Sequence, residues 1–143
     1  MRRVLSWSLA VMIVAAAGGW GAWVWWKHAT YGRTITEAEL TATVEAGDRF
    51  SLAVPDRGAS VGDSWSATVT PEGVLTAVGN RKVISNVYDR IFGPAAGGGA
   101  GTRYFTYTAE APGTARVTVT NCFQGCDEPS PLSRSVAWQI TVR

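Results

Sequence analysis

From Leu40 to the C-terminus, apolar and polar residues alternate with a period of two, and this confines the chain to β-structure. Successive side chains of a strand point to opposite faces, so a strand with one face buried and one wet produces that pattern. Leu40, Ala42 and Val44 alternate with Thr41, Thr43 and Glu45. Phe50, Leu52 and Val54 alternate with Arg49, Ser51 and Ala53, and Trp65, Ala67 and Val69 with Ser64, Ser66 and Thr68. Phe105, Tyr107 and Ala109 continue the series, then Val117 and Val119, then Val136, Trp138, Ile140 and Val142. Residues 74–87 are expected to hold one or two further strands. No stripe of helical period competes, and no internal repeat is found. Turn residues separate the runs at Ala46-Gly-Asp48, Pro55-Asp-Arg-Gly58, Pro71-Glu-Gly73, Val78-Gly-Asn80 and Ala111-Pro-Gly113. Six to eight short strands in roughly 110 residues describe an all-β sandwich. Alternation argues for antiparallel sheets, because parallel strands buried on both faces read as continuous apolar runs. Trp65 and Trp138 are the expected large core pieces.

The N-terminus is of another kind. After a tail of residues 1–3, the run from Val4 to Trp26 carries no charge. Its length, at about 1.5 Å per residue, suffices to cross a bilayer core of about 30 Å. Trp20, Trp23, Trp25 and Trp26 crowd its far end, where amphipathic indoles settle at the headgroup level. Residues 4–26 are therefore expected to be an uncleaved transmembrane signal anchor that contacts the lipid bilayer. Residues 1–3 would form a short cytoplasmic tail, 27–37 a juxtamembrane spacer and 38–143 the sandwich. The competing reading is a cleaved secretory signal with Ala15-Ala-Ala17 at the small-residue site. Basic residues on the two sides nearly balance, so they do not fix the orientation.

The formal charge of +2 includes Arg2, Arg3, Lys27 and Arg33 at the membrane end; the remainder holds nine basic against eleven acidic residues. No basic stripe is left for nucleic acid or anionic lipid. The only histidine, His28, lies in the spacer, so a Ser-His or Cys-His pair cannot form within the sandwich, and no catalytic residue is assigned. Two cysteines without further Cys or His partners do not complete a zinc site, and no cofactor or metal is expected. The carboxylates Asp56, Asp63, Asp89, Asp127 and Glu128 are expected to be solvated loop residues. Gly97-Gly-Gly-Ala-Gly101 has no following Lys-Ser/Thr and no helix, so it is not a phosphate cradle.

Three connections exceed ordinary β-turn length: 55–63, 88–101 and 121–134. In a Greek-key sandwich alternate connections emerge at the same end, so the three are expected at one pole. Cys122 and Cys126 lie in the third. Metal binding, redox chemistry and a braced display loop are the candidates, and their three-residue spacing does not match the thiol oxidoreductases. A disulfide is the expected reading, with two reduced thiols or a purely structural staple as the alternative; if bonded, the pair places the domain in an oxidising compartment whether the N-terminus is cleaved or not. It would hold Phe123-Gln-Gly125 as a rigid bulge at a loop tip.

In this order, the pieces resemble the chagasin-type inhibitors of papain-like cysteine proteases, over roughly residues 38–143. In that family the first loop carries Asn-Pro-Thr-Thr-Gly ahead of a core Trp. Here the matching positions read Gly58-Ala-Ser60-Val61-Gly62-Asp-Ser-Trp65. The family's Gly-x-Gly-Gly element before a Thr-x-x-Phe strand has its counterpart in Gly98-Gly-Ala-Gly101-Thr102-Arg-Tyr-Phe105. The family's Arg-Pro-Trp is replaced by Phe123-Gln-Gly125. The resemblance implies an immunoglobulin-like sandwich and inhibition without reaction. Ser60, Val61 and Gly62 would lie across the catalytic cysteine as a wedge. Gly98, Gly99 and Gly101 would let the partner's backbone approach, and Phe123, with Gln124 and Gly125, would supply the apolar anchor. A non-inhibitory extracytoplasmic binding module of the cell envelope is the alternative, motivated by the absent Arg-Pro-Trp.

Overall fold

The computed structural model describes residues 19–94, 99–127 and 130–143. The expected tail and most of the expected membrane span therefore lie outside the described residues, as does Gly98. Among the described residues, no helix is long and apolar enough to cross a membrane. The chain divides into two units, Met1–Gly32 and Arg33–Arg143. In the first, helix α1 occupies 19–31 and exposes Trp20, Trp23, Trp25 and Trp26, with the Lys27 ammonium 4.3 Å from the centre of the Trp23 ring.

The second unit is the sandwich. Its described strands are β1 (Arg33–Thr36), β2 (Thr41–Val44), β3 (Arg49–Asp56), β4 (Asp63–Thr70), β5 (Leu75–Ile84), β6 (Gly101–Ala109), β7 (Gly113–Phe123) and β8 (Arg134–Val142). They form two four-stranded sheets, ordered β1-β3-β6-β5 and β2-β8-β7-β4. The inward residues of both sheets form one core: Phe50, Leu52, Val54 and Phe105 from one, Val117, Val119, Trp138 and Ile140 from the other. Burying these chains supplies the main favourable term, at about 25 cal/mol per Å² of apolar surface. Burial also explains a phenol held out of the acid range: Tyr107, stacked on Phe50 at 5.8 Å, is pushed up to about 12.

Three expectations are corrected. The sandwich begins at Arg33 rather than 38, because β1 within the expected spacer pairs with β3. Both β1–β3 and β2–β8 are parallel pairs, so the sheets are antiparallel only in their longer ladders. Each parallel partner is a four-residue edge strand, for which buried-run logic has no grip. Leu40 stands outside β2 and is half exposed, leaving Ala42 and Val44 to face the core. Residues 74–87 give a single strand whose pattern is blurred for a visible reason. β5 is an edge strand with a register shift between Ala77 and Gly79, and only Leu75 is buried.

Candidate functional site at one pole

The registers fix where the long connections leave the sheets. Asp56 at the end of β3 pairs with Gly101 at the start of β6, and Gly101 pairs with Ile84 at the end of β5. In the other sheet, Asp63 opens β4 opposite Phe123 at the end of β7, and Asn121 pairs with Arg134 at the start of β8. The connection from Asp56 to Asp63 joins the two sheets, so all three connections share one pole. β1 starts at the other: Arg33 pairs with Phe50, six residues along β3 from Asp56 and about 20 Å away at strand rise.

Loop 1, between Asp56 and Asp63, is braced by the two aspartates at its ends. Asp56 is 1% exposed and accepts from Gly58 N–H at 2.8 Å and Arg103 Nε at 2.6 Å, with Lys82 Nζ 3.5 Å away. Asp63 accepts from Arg57 through its backbone N–H, Nε and Nη2, at 2.9, 3.1 and 2.6 Å. Asn121 Nδ2 donates to the same carboxylate at 3.0 Å while its Oδ1 accepts from Ser64 N–H. The Arg57 guanidinium, ahead of the other contacts, holds Asp63 at about 2. These carboxylates were expected to be solvated. They are buried because Arg57 and Gly58 N–H close on them from within the loop while Arg103, Lys82 and Asn121 arrive from strands far away in sequence. Between them, Ala59–Val61 forms a single 3-10 turn that leaves Ser60 and Val61 exposed.

Gly62 closes that turn at φ +96°, and a Cβ there would sit 2.7 Å from Gln124 Cγ. The close approach is used: Gln124 N–H donates to Gly62 O at 2.8 Å, tying loop 1 to the turn after β7. Cys122 and Cys126 are bonded across that turn. Phe123 is not at its tip. It is the last residue of β7, half-buried, with Arg57 4.9 Å from its ring centre and its N–H donated to Ser133 Oγ. The exposed tip is Gln124 and Gly125.

Loop 2 also departs from expectation. Residues Val87–Phe92 form a short helix, α2, capped by the Asn86 side chain on Tyr88 N–H. Gly99 and Gly101 are packed from inside. A Cβ on Gly101 would lie 2.2 Å from Val83 O, and one on Gly99 would lie 3.2 Å from Ile84 Cγ2. Lys82 Nζ donates to Gly99 O, linking this loop to the Asp56 cluster. These two glycines let the chain approach itself, which the sequence alone could not separate from room for a partner.

Asp56, Arg57, Asp63, Arg103 and Asn121 are thus the site residues that sequence reading missed. The available signal was the placement of Asp56 and Asp63 at strand ends flanking a connection that crosses between the sheets.

The fold has solved counterparts. The solution structure of amebosin superposes with a TM-score of 0.58 at 18% identity, covering 78% of this chain and 97% of that one. The crystal structure of the cysteine protease inhibitor EhICP2 from Entamoeba histolytica gives 0.60 at 15% identity, covering 78% and 95%. No curated protein sequence matches the chain. The model of the chagasin family of peptidase inhibitors, I42, matches residues 43–140, from β2 through the loop pole to β8. The chain therefore belongs to the chagasin family, whose members act on peptidases as inhibitors rather than as catalysts.

Proposed function

We propose that the protein inhibits a papain-like cysteine protease by seating the loop pole in the enzyme's active-site cleft. The observation that carries this reading is the convergence of the three connections at one pole, with loop 1 braced at both ends. Bracing matters because a loop already ordered loses less entropy on contact. Ser60 and Val61 present a narrow exposed turn, and Gly62 keeps it close against Gln124. No nucleophile need take part; the turn blocks the cleft by occupying it. Val61, 46% exposed, is the apolar tip of the wedge.

The same reading includes a membrane-anchored, single-pass location with the sandwich outside the cytoplasm, or a secreted form where the N-terminus is cleaved. Its supports are the uncharged run 4–26 and the Cys122–Cys126 bond, which persists in oxidising compartments.

The test is titration of papain-like proteases with the full chain in detergent micelles. Stoichiometric loss of activity at nanomolar to micromolar inhibitor is expected, and it should be abolished by Gly62→Glu. Full activity throughout would reject inhibition of those enzymes. The other reading, an envelope binding module without inhibition, is favoured by the cover of Arg57 over Phe123, which withdraws that ring from a partner. It predicts partner binding with flat protease titrations.

A further inference from the structure

Phe123 is half-buried rather than displayed at the third loop's tip, whereas the second loop exposes a cluster of apolar side chains. α2 exposes Val87 at 61%, Tyr88 and Ile91 at 67% and Phe92 at 71%. Val87 with Ile91 and Tyr88 with Phe92 are i, i+4 pairs, so the four side chains form one continuous patch. The Tyr88 and Phe92 rings touch at 4.7 Å between centroids. Six residues are too few for a helix to persist unaided. This one is held by the Asn86 cap and by Arg90, whose Nη2 and Nε donate to Ile84 O at 2.7 and 3.2 Å. A fixed helix that shows its apolar residues to solvent points to a partner.

We propose that α2 is the apolar anchor of the inhibitory surface, docking on an apolar patch at the rim of the protease cleft that loop 1 enters. This rests on the inhibitory reading above. Two arguments select a protease rim over other occupants. First, α2 follows Ile84, which pairs with Gly101, itself the partner of Asp56 at the root of loop 1. The patch and the wedge therefore leave strand ends on either side of β6, at the same end of one sheet. Second, the four side chains offer on the order of 500 Å², against about 800 Å² per partner in a stable interface. That is too little for a dimer built on α2 alone. It is a fitting share of an interface whose remainder is loop 1 and the tip at Gln124–Gly125.

The experiment uses the full chain in micelles with two variants, Tyr88→Ser/Phe92→Ser and Tyr88→Leu/Phe92→Leu, against a panel of papain-like proteases. The serine variant should weaken inhibition by about 100-fold or more, mainly through faster dissociation. The leucine variant should keep most of the affinity. Both should keep the parent's thermal unfolding midpoint, since the mutated side chains are exposed. A serine variant as potent as the parent would overturn the proposal while leaving the inhibitory reading intact. So would a variant that inhibits normally but loses self-association in ultracentrifugation, which identifies a second copy as the occupant. Normal inhibition with lost protection of 87–92 in nanodiscs would identify the bilayer instead. If the parent inhibits no protease in the panel, the inhibitory reading itself fails, and this proposal with it.

Discussion

Replacing Asp63 by Asn removes one charge from the base of loop 1 while keeping nearly the same shape. The carboxylate is held at about 2, against 3.8 for an unperturbed group, chiefly by hydrogen bonds from Arg57, with Asn121 adding to them and burial opposing. A depression of that size corresponds to roughly 2.5 kcal/mol at about 1.4 kcal/mol per pH unit. Arg57 is about half exposed, so solvent screening reduces the expected contribution to about 1–2 kcal/mol. Because the folded value lies below the unfolded one, ionisation of Asp63 stabilises the fold. That stabilisation is complete above about pH 5 and fades as the pH falls from about 4 to about 2. The assay is guanidinium unfolding of the full chain in micelles, followed by near-ultraviolet circular dichroism, for parent and Asp63→Asn at intervals from pH 7 to pH 2. The difference between the two isolates Asp63 from every other titrating group. It should be about 1–2 kcal/mol at neutral pH and close to its minimum near pH 2. A difference that does not change with pH would refute the assignment of the ion pair, and one that grows in acid would reverse its sign.

Gly62→Ala combines a backbone penalty at φ +96° with a clash at Gln124. It should cost about 1–2 kcal/mol, and Gln124→Ala on top should recover the steric part alone, as read by a double-mutant cycle in denaturant. Gly101→Ala meets backbone rather than a flexible side chain, at 2.2 Å from Val83 O. A loss above about 3 kcal/mol, or failure to fold, is expected, and a neutral result in thermal unfolding would contradict the packing described. Cys122→Ser/Cys126→Ser opens a small ring and should lower stability by about 2 kcal/mol, measured against the oxidised parent. The disulfide variant and Asp63→Asn both loosen the contact between loop 1 and the turn after β7. Their effects on inhibition should therefore be non-additive, whereas either should add to the α2 variant.

The legible parts of this chain were those set by neighbours in sequence. Alternation gave Phe50, Leu52 and Val54 as core because strand geometry converts adjacent positions into faces. The order of loop, Trp, glycine run and final loop was readable for the same reason. α2 was not legible, because six residues between Asn86 and Gly93 leave no room for a helical period to establish itself. The burial of Asp56 and Asp63 was not legible either. Arg103 comes from 47 residues along the chain and Asn121 from 58, and without them a loop carboxylate reads as solvated.

The two aspartates explain why three irregular connections can act as one surface. Asp56 reaches loop 2 through Lys82, whose ammonium also holds Gly99 O. Asp63 reaches the turn after β7 through Asn121 and through Arg57, which lies over Phe123. Loop 1 thus sits between two charged clusters, each fastened to a different neighbour, and Gln124 N–H to Gly62 O closes the set. Such clusters contribute modestly to global stability, because burying charge offsets much of the attraction. Their effect is to fix position: with loop 1 tied on both sides, the exposed Ser60–Val61 turn cannot shift without breaking a buried hydrogen bond. The loop pole therefore resists compression by strength at its roots, and, on the proposed function, the side chains at its tip are free to be chosen for the partner alone.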